Sequence, residues 1–196
     1  MNMKNNLTTT ITSGKFKGKK LSLPSLSTTR STKSIVKESV FNSLQGEIYG
    51  SVFIELFGGS GLMAATAVSN YAKKGYAIEL DRAAFNSLRE NFSRLNDDGN
   101  EALVALHGDT FELTPKILAQ NIEQKTIIYA DPPFDIRDGF SGIYEKLYKM
   151  LEKLEANIVV IEHISSHKPL QNIGKFTLYK SRKFGNTTLS YYTKCI

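Results

Sequence analysis

The chain has no tryptophan, three histidines, five prolines and a single cysteine. That cysteine, Cys195, has no partner within the chain, so neither an intrachain disulfide nor a cysteine metal cluster is open to it, and no metal site is expected. Long apolar runs are missing as well. No stretch approaches the roughly 18 residues of a membrane span. The start, Met1-Asn2-Met3-Lys4-Asn5-Asn6, lacks the apolar segment of a signal peptide. The reading is a cytoplasmic protein with no membrane partner. At 196 residues it is long enough for one α/β domain and too short for a cofactor domain plus a full second domain.

What is present is an uneven charge. The net +6 hides three segments: residues 1–50 carry eight Lys/Arg against two Asp/Glu, and 163–196 carry six against none. The middle, 51–162, carries eleven against seventeen. Basic ends fit a polyanion and an acidic centre fits a cation, although ordinary solvated faces would leave the same count.

Residues 1–10 are polar and read as loose, and the glycine-punctuated run from Ile11 to Leu23 reads as a short hairpin. Val36, Val40, Phe41 and Leu44 recur at the helical period, with Ser31, Thr32 and Ser34 as candidate caps before them. After Gly50 strands alternate with helices. Strands are expected at 51–57, 75–80, 102–107, 126–130 and 157–162, with helices at 62–72, 82–95, 115–123 (opened by Thr114-Pro115) and 141–154. That order predicts a Rossmann-like, doubly wound, mainly parallel sheet. The tail, Phe176 to Phe184, a Gly185-Asn186 turn and Thr188 to Thr193, predicts an antiparallel hairpin at its end.

In such a sheet ligands lie beyond the carboxyl ends of the strands. The first strand delivers Glu55-Leu56-Phe57-Gly58-Gly59-Ser60-Gly61, where glycines let a ligand approach the backbone and a helix start offers N–H donors. The second ends in Glu79-Leu80-Asp81, about twenty residues on, where a carboxylate can accept hydrogen bonds from a ribose diol; Glu79 is the choice for it and Asp81 for a helix cap. The third ends in Asp109-Thr110, suited either to an adenine amine or to a turn. The fourth ends in Asp131-Pro132-Pro133-Phe134. Two prolines stiffen the loop and leave a carbonyl that, with the Asp131 carboxylate, can grip both hydrogens of an –NH2 group while Phe134 stacks on a base.

These residues resemble the RsmD family, the small-subunit ribosomal RNA guanine-N2 methyltransferases, over almost the whole length. The likeness runs through Ser13-Gly14-Lys15-Phe16-Lys17-Gly18-Lys19-Lys20-Leu21, the helix that starts at Arg30, Phe57 to Gly61, Ile78 to Asp81, Asp131 to Phe134 and Phe184 to Thr188. Gly58 stands where the family usually has Ala and Ser31 where it usually has Pro. The resemblance implies a class I methyltransferase domain at 46–196 behind a basic extension at 1–45, with S-adenosyl-L-methionine as cofactor. The implied substrate is the exocyclic N2 of a guanine in 16S rRNA, guanine 966 in the family, free or within an assembling small subunit, and the implied state is a monomer. Lys15, Lys17, Lys19, Lys20 and Arg30 would hold the RNA, with Lys180, Arg182 and Lys183 assisting. Three other readings stay open: an amino-methyltransferase acting on DNA adenine or a protein glutamine, an NAD enzyme using Gly59-Ser60-Gly61 as a dinucleotide loop, and a non-catalytic RNA-binding module.

Overall fold

A computed structural model describes residues 7–24, 30–96, 101–133 and 142–194, with 30–33 described in backbone alone. Ten strands and six helices are assigned among them. In chain order they are β1 (Thr8–Thr10), β2 (Lys20–Ser22), α1 (Arg30–Ser43), α2 (Gln45–Ile48), β3 (Val52–Leu56), α3 (Leu62–Ser69), β4 (Lys74–Glu79) and α4 (Arg82–Leu95). There follow β5 (Leu103–His107), α5 (Thr110–Gln120), β6 (Thr126–Ala130), α6 (Ile143–Leu151), β7 (Ile158–Ile164), β8 (Asn172–Ile173), β9 (Phe176–Phe184) and β10 (Thr187–Lys194).

The main sheet has the order β5-β4-β3-β6-β7-β10-β9-β8. Its first five strands are parallel, and β10 runs antiparallel to both β7 and β9. The Rossmann-like expectation holds, closing antiparallel pair included. Every residue of β3 and β6 is buried, as befits central strands covered on both faces. One face packs α1, α3 and α4 through residues such as Val40, Val68, Leu88 and Phe92, together with Ile11, Phe16 and Leu21 of the N-terminal segment. The other packs α5 and α6 through Ile117, Leu147 and Leu151. The order reverses between β3 and β6, which opens a crevice where β3 and β6 end.

Several boundaries differ from expectation. The loose start contains a strand, because the β-branched Thr8–Thr10 pair with Lys20–Ser22, and residues 11–19 form the connection rather than the strands. Ser31, Thr32 and Ser34 lie inside α1 and not ahead of it. Helix α5 begins five residues before Pro115, because Asp109 caps it by accepting from Phe111 N–H (2.8 Å). Proline there removes one intrahelical donor, and the helix runs through it. The short β8, pairing with β9, has no counterpart in the expected pattern. Residues 1–6, Phe134 and Cys195 lie outside the described residues.

Candidate active site

Strand β3 ends at Leu56, and Phe57 leaves it with φ +61°, a left-handed conformation strained for a residue with a side chain. That bend throws Gly58 under β4, whose Ile78 carbonyl accepts its N–H (2.6 Å). Gly61 then opens α3 at φ +75°, so close to α4 that a Cβ would stand 2.4 Å from both Leu88 Cδ1 and Phe92 Cε1. Only glycine satisfies both the angle and the space there.

Glu55 points from β3 beneath the start of α3, where its carboxylate accepts from Ala64 N–H (2.9 Å) and Met63 N–H (3.4 Å). Burial pushes its pKa up to about 8; the two N–H donors oppose that shift, and the charges of Asp131 and Glu79 add to it. Glu79, at the end of β4, accepts from Gly59 N–H through one oxygen and from Asp81 N–H through the other, both at 2.8 Å. It therefore ties the glycine loop to the tip of the next strand. Asp81 caps α4 by accepting from Ala84 N–H (2.8 Å), while Leu80 between the two acids is exposed. Asp109 caps α5 and stands 3.6 Å from the Lys146 ammonium. Thr110, the next residue, is buried, and its hydroxyl has no hydrogen-bond partner among the described residues.

Asp131, Pro132 and Pro133 follow β6 directly. Asp131 shares a cavity of about 390 Å3 with Glu55, Phe57, Gly58, Gly59 and Ser60. The glycine loop and Asp131 thus open onto one space, whereas Glu79, Leu80, Asp109, Thr110 and Pro132 do not line it. Its other wall is N-terminal: Thr8 to Thr10, Leu23, Pro24 and α1.

Three ionisable residues of this cavity escaped the sequence reading, Lys37, Tyr129 and Glu162, as did the threonines and apolar residues around them. Tyr129 donates to Glu162 Oε2, and burial, reinforced by the charges of Glu162 and Asp131, holds its phenol well above the ordinary tyrosine range. Glu162 did carry a signal, as a lone acid near the carboxyl end of an apolar strand, the same signature as Glu55. Lys37 carried one too, for it stands three, four and seven residues before Val40, Phe41 and Leu44, on the apolar face of its helix.

The lysines proposed for RNA stand elsewhere. Lys15, Lys17, Lys19 and Lys20 are exposed on the connection and on β2. That connection is clamped at the far end of α3: Lys15 N–H donates to Ser69 carbonyl (2.8 Å) and Phe16 N–H to Ser69 Oγ (2.8 Å). A Cβ on Gly14 would stand 1.9 Å from the same carbonyl. Eight residues of α3, roughly 12 Å of helix, separate this contact from the glycine loop. At its other end the hairpin is joined to that loop by Asn91, which is fully buried and donates from Nδ2 to the carbonyls of Ser22 (2.9 Å) and Ser60 (3.0 Å). Arg30 begins α1, and its side chain lies outside the described residues.

A family model described as Conserved hypothetical protein 95 matches residues 9–193. The chain is 32% identical over 142 residues to Ribosomal RNA small subunit methyltransferase D of Escherichia coli, a match covering 72% of this chain and 66% of that protein. To the Haemophilus influenzae protein of the same name it is 28% identical over 184 residues, covering 93% and 92%. The chain thus spans just under two thirds of the first relative and nearly all of the second. Among solved structures, the Escherichia coli protein yhhF has a TM-score of 0.73 at 26% identity, covering 96% of this chain and 98% of that one. An RNA methyltransferase from Salinibacter ruber, solved with S-adenosyl-L-homocysteine, shares the fold at a TM-score of 0.59 and 16% identity, covering 86% and 94%.

Proposed function

The chain belongs to the family described as Conserved hypothetical protein 95, the RsmD family, and from that premise we propose that it methylates the exocyclic N2 of a guanine in small-subunit ribosomal RNA. The cofactor is S-adenosyl-L-methionine, which supplies a methyl group on a sulfonium. The target is the base that the resemblance names, guanine 966 of 16S rRNA. The observation that carries the reading is the single cavity onto which Asp131, Glu55 and the glycine loop all open.

The residues present fit such a cofactor. A glycine loop with backbone N–H donors, Glu79 at the tip of the second strand and the orphaned hydroxyl of Thr110 at the tip of the third offer acceptors and donors along a nucleoside. Glu79 has acceptor capacity left for a ribose diol beyond its two backbone donors. Glu55, with two N–H donors and a pKa raised by burial, is an acid that a bound cation would ionise. Phe57, Gly58, Gly59, Ser60, Gly61, Leu80, Asp109 and Thr110 complete the cradle.

At the substrate end, Asp131 and the Pro132 carbonyl accept the two amine hydrogens and aim the nitrogen lone pair at the methyl carbon. The bound cofactor would supply the methyl group and leave as a neutral thioether; the Asp131 carboxylate would stabilise the positive charge that develops on the amine nitrogen until that nitrogen gives up a proton to water. Pro133 keeps the loop stiff, and Phe134 stacks on the extruded base. The basic extension at 1–45 holds the RNA backbone through Lys15, Lys17, Lys19, Lys20 and Arg30, while 46–196 carries the chemistry.

The test is single-turnover transfer from labelled cofactor to ribosomal RNA, DNA and protein side by side. Transfer to RNA alone, lost by about 10²–10³ in Asp131→Ala with cofactor affinity retained, is the expected result. Transfer to DNA or protein, or an Asp131→Ala rate within a few-fold of wild type, would overturn it.

A further inference from the structure

Lys37 is 3% exposed, yet its amine lies on the wall of the cavity. Its Nζ donates to the Thr10 carbonyl (3.0 Å), and no carboxylate among the described residues forms an ion pair with it. Burial pulls its pKa down. Protonated or neutral, the nitrogen has more hydrogens than this one acceptor uses. A buried amine in that state is costly unless a further acceptor reaches it.

The same cavity is lined by acids. Ala130 and Ile161 are register partners in adjacent parallel strands, so Asp131 and Glu162, each one residue further on, lie level on strands about 4.8 Å apart. Tyr129 donates to one oxygen of Glu162, and a carboxylate has about four acceptor sites in all. Besides Glu55, the cavity therefore presents the buried Lys37 amine and two carboxylates side by side.

A guanine offers the complementary row: an O6 acceptor, an N1–H donor and the N2 amine. Adenine and cytosine place an acceptor beside the amine, where a second carboxylate would repel it. Building on the proposed methylation of a guanine amine, we propose that Lys37 and Glu162 are specificity-determining residues, Lys37 donating to O6 and Glu162 accepting from N1–H while Asp131 holds N2.

2-Aminopurine tests this, because it keeps the 2-amine but has no O6 and carries an acceptor at N1. Ribosomal RNA ligated to carry guanine or 2-aminopurine at the methylated position, presented free and assembled into small subunits, is assayed for kcat/KM. Wild type should prefer guanine by at least about 100-fold, since a site built to pair polar groups rejects an analogue that leaves them unpaired. Lys37→Met should lose about tenfold or more on guanine and stay within a few-fold on 2-aminopurine. Glu162→Gln should lose on guanine and gain on 2-aminopurine, because its amide can donate to N1. Equal losses on both bases would mark the two residues as structural and overturn the proposal, as would a wild type without preference. No transfer to RNA of either kind would instead overturn the methylation reading, and this proposal with it.

Discussion

Replacing Glu55 by Gln probes a strongly perturbed acid of the site before any ligand is added. The unfolded chain ionises this carboxyl near its ordinary 4.5, whereas the folded protein holds the proton up to about 8. A raised carboxyl pKa stabilises the fold fully below 4.5, and that contribution is lost as pH climbs through 8. The whole shift is worth at most about 5 kcal/mol, and the share falling between pH 6 and pH 8 is about 2 kcal/mol. Gln cannot ionise, and its amide oxygen can keep the Ala64 N–H while its amide nitrogen turns toward Met63 N–H. That mismatch costs the same at every pH, and all other titrations are shared by the two proteins. Urea unfolding of wild type and Glu55→Gln at pH 6, 7 and 8 should therefore show the variant gaining about 2 kcal/mol on wild type across the range. Parallel profiles would refute the argument that Glu55 is held protonated by burial, and with it the reasoning that a cation completes this corner.

Glu79→Ala should weaken cofactor binding by about 1–3 kcal/mol by calorimetry, and Glu79→Gln by less, because the carboxylate holds Gly59 and Asp81 as well as its proposed ribose contact. Unchanged affinity would leave it a loop staple only. Reversing Lys15, Lys17, Lys19 and Lys20 to Glu should weaken RNA binding and flatten its salt dependence by up to about 3–4 in log–log slope, with cofactor affinity unchanged. An unaltered slope would make the hairpin tip a solvated face.

The fold was legible because its signals are local and repeated. Apolar runs bounded by glycine at β3 and β4, and the Gly185-Asn186 connection, each dictate their own element, and the alternation of strand and helix leaves few topologies to choose from. The misplaced boundaries have one physical origin. Thr8–Thr10 become a strand only because β2 comes alongside, and α5 starts where a cap is satisfied, upstream of the proline that seemed to open it. A partner strand and a cap bond are relations between residues, and composition does not display them.

The candidate site divides along the same line. Glu55, Glu79 and Asp131 could be singled out because each closes a strand, and the sheet alone brings the carboxyl ends of its strands together. Lys37 was passed over although it lies on the apolar face with Val40, Phe41 and Leu44, because the carbonyl that its amine meets, that of Thr10, comes from another segment. The same hairpin is keyed to the glycine loop through Asn91, a polar helix residue that is fully buried. The N-terminal segment is thus more than a charged appendage. Its exposed lysines lie on the connection clamped to Ser69 and at the start of β2, where Lys20 pairs with Thr10 of the cavity wall, and its Ser22 shares one side chain with Ser60. The tip proposed for polyanion contact and the loop proposed for the cofactor are therefore joined by a continuous hydrogen-bonded path through a packed body.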